Sequence, residues 1–143
     1  MAIKRLTPND NFRRYAERKV ENLRLSLIEG LKRVGEQAVT EARTNHIYKN
    51  QTGNLQSSIG YCIVEDGEVI FGGGFEAGYE GAEKGKAFME RLISEHSTGL
   101  VLIVVAGMEY AAYVEAKNLN VLDSSEQLVQ RLVPQMLKAL NFK

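Results

Sequence analysis

"IGYCIVEDGEVIF", residues 59–71, decides the fold. Two apolar runs, Ile59–Glu65 and Glu68–Phe71, flank Asp66-Gly67. An Asp-Gly pair between such runs is a strong type I′ hairpin signal, because both central residues of that turn need positive φ. Strands joined by two residues must pair antiparallel. Alternation along the first strand puts Cys62 and Val64 on one face, Tyr61 and Ile63 on the other.

Downstream of the hairpin, a glycine-rich segment, Gly72–Gly81, leads into a helical pattern over Ala82–His96. Phe88, Met89, Leu92 and Ile93 share one side of that helix. "GLVLIVVAG", residues 99–107, is a continuous apolar run, as expected of a central strand covered on both faces. In "EYAAYVEA", residues 109–116, the i, i+3, i+4 spacing of Tyr110, Tyr113 and Val114 predicts one or two helical turns. "NVL", residues 120–122, reads as a short strand. The last helix opens on Ser124-Ser125-Glu126-Gln127, a capping box. It carries Leu128, Leu132, Met136 and Leu140 on one face, and Pro134 is expected to kink it.

Upstream, Thr7 is placed to cap a helix and Pro8 suits its first position. Apolar residues recur at Phe12, Ala16, Val20, Leu23, Leu27, Leu31, Val34, Ala38 and Ala42, a mean step of about 3.75. That exceeds the 3.5 of a left-handed heptad seam, so this is no conventional coiled coil. Unbroken from Pro8 to Arg43 the helix would be roughly 54 Å long, against about 30 Å for a domain of this size. Either Gly30 and Gly35 mark a bend, or the helix overhangs and packs on another subunit.

These elements predict one α+β domain over residues 1–143: a long N-terminal and a C-terminal helix packed on a small, mainly antiparallel sheet containing the hairpin. Residues 1–7 are expected to be flexible, and residues 72–97 to form a glycine-rich loop plus an inserted helix. The composition, 44% hydrophobic and 25% charged, is that of a globular chain. The run Leu100–Gly107 is too short to span a bilayer, and the N-terminal "MAIKRLTPND" lacks the apolar core of a secretion signal. The single cysteine, Cys62, excludes an internal disulfide and any multi-cysteine metal site. Net charge is zero but unevenly placed: residues 1–50 carry +5 and residues 51–143 carry −5. The basic third suits a mixed-charge solvated face, an acidic neighbouring copy, or duplex nucleic acid.

Few motifs suggest catalysis. Gly72, Gly74 and Gly78 miss the dinucleotide-binding spacing by one residue, and Gly81, Gly85 and Lys86 fall one short of a Walker loop without its Ser/Thr. Glu76, Glu80 and Glu83 would repel phosphate, and the strand before the loop belongs to a hairpin rather than a βαβ unit. His46 and His96 lack neighbours at metal-ligand spacing. Glu109 and Glu115 read as structural carboxylates. No catalytic residue, metal site or cofactor is predicted.

The polar corner "QTGNLQSSIGY", residues 51–61, has a structural reading. Thr52 caps, Gly53 bends the chain, Leu55 and Ile59 point into the core, and Ser57 and Ser58 satisfy backbone groups where helix gives way to strand.

That corner also resembles the T-G-x-L-x-x-S-I signature of the tail-completion, or head–tail joining, proteins of tailed bacteriophages, matched here by Thr52, Gly53, Leu55, Ser58 and Ile59. Tyr110, Ala111, Tyr113, Val114 and Glu115 resemble the same family's Y-A-x-Y-V-E motif, at the expected place after an apolar strand. Lys49, Asn50 and Gln51 replace the Pro and Asp that often precede Thr-Gly, and residues 72–97 exceed the family's usual hairpin connection. The resemblance implies a non-enzymatic virion assembly protein of a phage or prophage, made in the bacterial cytoplasm. It would form a ring-like homo-oligomer contacting other head–tail connector or tail proteins. Arg13, Arg14, Arg18 and Arg24 on the basic helix, with Gly74 and Gly78 in the loop, are the expected interface residues. The alternatives are a cellular interaction module binding nucleic acid through the basic helix and a nucleotide-binding enzyme using the Gly72–Lys86 loop. On the structural reading of the corner, Gly53→Val gives a misfolded or non-assembling chain, checked by circular dichroism and size-exclusion chromatography, rather than a folded protein lacking one activity.

Overall fold

The hairpin turn closes as its sequence requires. Asp66 and Gly67 both have positive φ, 51° and 85°, the signature of a type I′ turn. A computed structural model describes residues 6–44, 58–73, 75, 80–106, 110–120 and 122–140. The turn joins β1 (Gly60–Glu65) to β2 (Glu68–Gly73). It is tied to the chain entering β3 (Leu100–Ala106): the Asp66 amide donates to the Gly99 carbonyl at 2.9 Å, and the Gly99 amide donates to Asp66 Oδ1 at 2.8 Å. Gly99 itself sits at φ 77°, a conformation in which a side chain would be strained.

Four strands form one sheet in the order β2-β1-β3-β4, and every neighbouring pair is antiparallel. β4 is Tyr110–Glu115, where helical spacing predicted one or two helical turns. The same apolar residues also fit period two: Tyr110, Ala112 and Val114 pack on one face of the sheet, Ala111 on the other. The open edge of β3 supplies a ladder from Val101–Glu115 to Ala106–Tyr110, and that pairing overrides the local helical spacing. Only a 3₁₀ turn, Ala116–Asn118, follows. The strand expected at 120–122 is absent at the described positions: Asn120 Oδ1 accepts from the Leu122 amide at 3.0 Å, a local turn, and Leu122 is exposed.

Among the described residues three helices, all on the expected stretches, cover the sheet. α1 (Leu6–Thr44) begins one residue ahead of Thr7, so Thr7 and Pro8 fall in its first turn. α2 (Glu80–Glu95) connects β2 to β3, two parallel strands with β1 between them, so the hairpin is also the first half of a split β-α-β crossover. α3 (Ser125–Ala139) has the expected capping box, Ser124 and Gln127 satisfying each other's backbone amides, and runs on through exposed Pro134.

The core has two halves. Tyr61, Ile63, Leu102, Val104 and Ala106 face α1 and α3, while Cys62, Val64, Val101, Ile103 and Val105 face α2 with Phe88 and Met89. Both faces of β3 are therefore covered and its side chains are buried, as the continuous apolar run requires.

Gly30 and Gly35 do not interrupt α1, which is helical throughout. They let other groups approach it. A Cβ on Gly35 would lie 2.5 Å from the Tyr61 ring, and one on Gly30 would lie 2.7 Å from Leu128 of α3. Gly35→Ala gains roughly 0.8–1 kcal/mol of helix propensity but overpacks a buried aromatic ring at a cost of about 1–3 kcal/mol. A net loss of up to about 2 kcal/mol is expected in urea unfolding.

Candidate functional site

The face of α1 that is buried along the sheet continues past it. Leu31, Val34, Ala38 and Ala42 are buried, yet Phe12 and Val20 on the same helical stripe are 72% and 65% exposed. Tyr15 and Leu25 are exposed beside them. The overhang is thus a continuation of a core-facing stripe, with nothing among the described residues covering it.

The point where α1 leaves the body is fixed by charge. The Arg24 guanidinium donates through Nε to Glu65 Oε2 at 2.8 Å and through Nη2 to Oε1, a forked pair, while Nη1 reaches Glu21 at 3.0 Å. Arg24 is thus engaged within its own chain, holding the helix to the end of β1. Arg13, Arg14 and Arg18 are exposed on the overhang. Along the same helix Glu29 pairs with Lys32 at 3.1 Å, three residues on.

A second exposed apolar surface lies on β2. Ile70 is the extra residue of a bulge, since Ile63 pairs with Phe71 and Val64 with Val69. Val69, Ile70 and Phe71 are exposed, and Phe71 lies beside the Tyr61 ring and Lys32, whose Nζ stands 4.4 Å from the Phe71 ring centre. Between β2 and α2 runs a groove of about 340 Å³ walled by Tyr61, Cys62, Val69, Phe75, Met89 and Ile93. Gly72 keeps its strand side low; a Cβ there would stand 3.5 Å from the Cβ of Cys62. The sequence signal for this groove is two glycines ending an apolar edge strand, a pattern that locally reads as the start of a loop.

A third concavity, about 560 Å³ and more polar, lies where β4 meets α3, lined by Tyr113, Glu115, Asn118, Asn120, Arg131 and Gln135. Arg131 pairs with Asp123 at 2.9 Å and Glu115 with Lys117 at 3.2 Å. Tyr113 stacks against His96, ring centres 4.5 Å apart.

The structure brings the described motif residues into structural roles. Ser58 and Ile59 are buried, Tyr110 and Val114 pack against the main core, and Ala111 packs on the α2 side. Tyr113, Val114 and Glu115 line the polar concavity. Thr52, Gly53, Leu55, Gly74 and Gly78 lie outside the described residues, as do His46 and residues 1–5. Among the described residues no three His, Cys, Asp or Glu side chains gather as a metal site would need, and no helix is long and apolar enough to cross a membrane. Burial raises the Cys62 thiol to about 12, and its sulfur lies 3.3 Å from that of Met89. Burial and the Glu36 carboxylate likewise raise the Tyr61 hydroxyl, which donates to Glu36 at 3.2 Å.

No family model matches this chain, and no curated protein or solved structure matches it at a significant level.

The Arg24 fork holds the Glu65 carboxyl below the usual carboxylate range. A carboxylate whose folded pKa is depressed adds stability above its unfolded pKa, about 4.3, and loses it as pH falls through the folded value. Glu65→Gln is therefore expected to lower the melting temperature at pH 7, with the difference from the parent chain shrinking below about pH 4 in thermal melts across pH.

Proposed function

We propose that this chain is a structural assembly protein of a tailed phage or prophage, joining or completing the tail at the head–tail interface as a ring-like homo-oligomer. The observation that carries this reading is the overhang of α1. A stripe that is core-facing in its second half and exposed at Phe12 and Val20 in its first half calls for a partner surface. The paired motifs, Thr52–Ile59 and Tyr110–Glu115, supply the class of assembly through the family resemblance.

On this reading the role is not catalytic and needs no cofactor. The protein works in the virion and gathers in the bacterial cytoplasm during assembly, against other connector or tail proteins. The +5/−5 division of charge favours contact between the basic third of one subunit and the acidic remainder of the next. Nucleic-acid binding through the same helix is the weaker reading, because Arg24 is already paired within the chain and Glu17 and Glu21 interrupt the exposed cations.

Light scattering across concentration and ionic strength tests the proposal. An oligomer that weakens at high salt is expected. Val20→Glu should dissociate it while shifting stability by no more than about 0.5 kcal/mol, since the residue is exposed in the single chain. A chain that stays monomeric at every concentration would remove self-assembly from the reading, and a salt-insensitive oligomer would remove the charge contribution.

A further inference from the structure

The two large apolar surfaces of the chain lie on opposite faces of its sheet. α1 and its stripe belong to the face that carries Tyr61 and Ile63, while the groove between β2 and α2 opens on the face of Cys62 and Val64. α1 runs past the sheet without turning back, so one chain does not bring its own stripe to its own groove. Two unlike surfaces that cannot meet within a chain can meet between copies.

We propose that the exposed stripe of α1 in one copy docks in the β2–α2 groove of the next copy, a head-to-tail contact repeated around the assembly. The proposal rests on the assembly reading above and names the contact that makes it. Complementarity supports a second copy as the occupant in shape, charge and extent. The groove is walled mainly by apolar side chains, and its 340 Å³ admits inserted side chains such as Phe12 rather than a whole helix. Glu90 lines the groove and Glu68 is exposed on its strand, while Arg13 adjoins Phe12 and Lys19 adjoins Val20 on the stripe. Lys86 is the one cation on the groove wall. In extent, Phe12 and Tyr15 each carry roughly 150–250 Å² of contact surface, a substantial share of the about 800 Å² per partner that a stable interface buries. The stripe is also continuous with the surface that α1 already buries on its own sheet, so the docked helix presents one uninterrupted apolar line to two bodies.

Such a contact is heterologous: the patch given differs from the patch received. It closes into a ring where the rotation between copies allows, and it does not stop at a dimer.

Chemical cross-linking with a short bismaleimide tests it. Ala16→Cys and Glu17→Cys place a thiol on or beside the stripe, and Val69→Cys places one at the groove. Cys62 is a quiet background, because it is 5% exposed and its thiol is protonated at neutral pH. Mixing either helix variant with Val69→Cys is expected to give a cross-linked dimer, and Ala16→Cys/Val69→Cys in one chain a ladder of higher multimers. Helix variants that cross-link only to themselves, or an oligomer seen by light scattering that gives no mixed product, overturn the docking and leave the assembly reading standing. A parent chain that is monomeric throughout overturns both.

Discussion

Length mismatch is the constraint from which the rest follows. Strands of six or seven residues span about 20 Å at roughly 3.3 Å per residue, while a 39-residue helix spans about 58 Å. No placement of α1 on this sheet covers all of it. Its position along the sheet therefore decides which part is left over. Two close approaches set that position: Tyr61 against Gly35 and Leu128 against Gly30. Arg24, forked onto Glu65 at the hairpin end of β1, marks where the covered part stops. N-terminal to that point the helix has solvent where a sheet would be.

Much of this was legible in the residues. The apolar stripe, its excess length and the Asp-Gly hairpin each have a local signature, and so do the capping box and the doubly covered β3. The misreadings have one physical origin. Tyr110–Glu115 satisfies helical and strand periods alike, and only the waiting edge of β3, a nonlocal partner, selects the strand. Gly30 and Gly35 look like a bend because their real role, admitting Leu128 and Tyr61, depends on residues 98 and 26 positions away. The Arg24–Glu65 fork has no local signature for the same reason: Glu65 is far from Arg24 in sequence. The β2–α2 groove joins a strand end to a helix on the same sheet face, and spacing along one segment carries no trace of such a junction.

The two halves of the core differ in what they can hold. On one face α1 and α3 pack against each other and against the sheet, sealing Leu102, Val104 and Leu132. On the other, among the described residues, α2 alone covers β1 and β3, and β2 extends beyond it with Val69 and Ile70 exposed. A single helix over four strands leaves an uncovered margin, and that margin is where the groove lies. Its existence follows from the split crossover, which carries α2 over β1 and leaves the outer strand at the rim.

An exposed edge strand ordinarily invites another strand. β2 is poorly suited to that role. The bulge at Ile70 breaks the hydrogen-bonding repeat of the strand, and Gly72 and Gly73 weaken its last turn of pleat. The bulge leaves Ile70 and Val69 exposed to a partner arriving side-on, and the missing Cβ of Gly72 keeps the strand side of the groove low. A strand partner would be recognised by backbone and would accept almost any sequence, whereas a helix partner is recognised by the spacing of its apolar side chains. A contact that discriminates between chains gains its selectivity from the second kind of recognition, and the bulged β2 edge is poorly suited to the first.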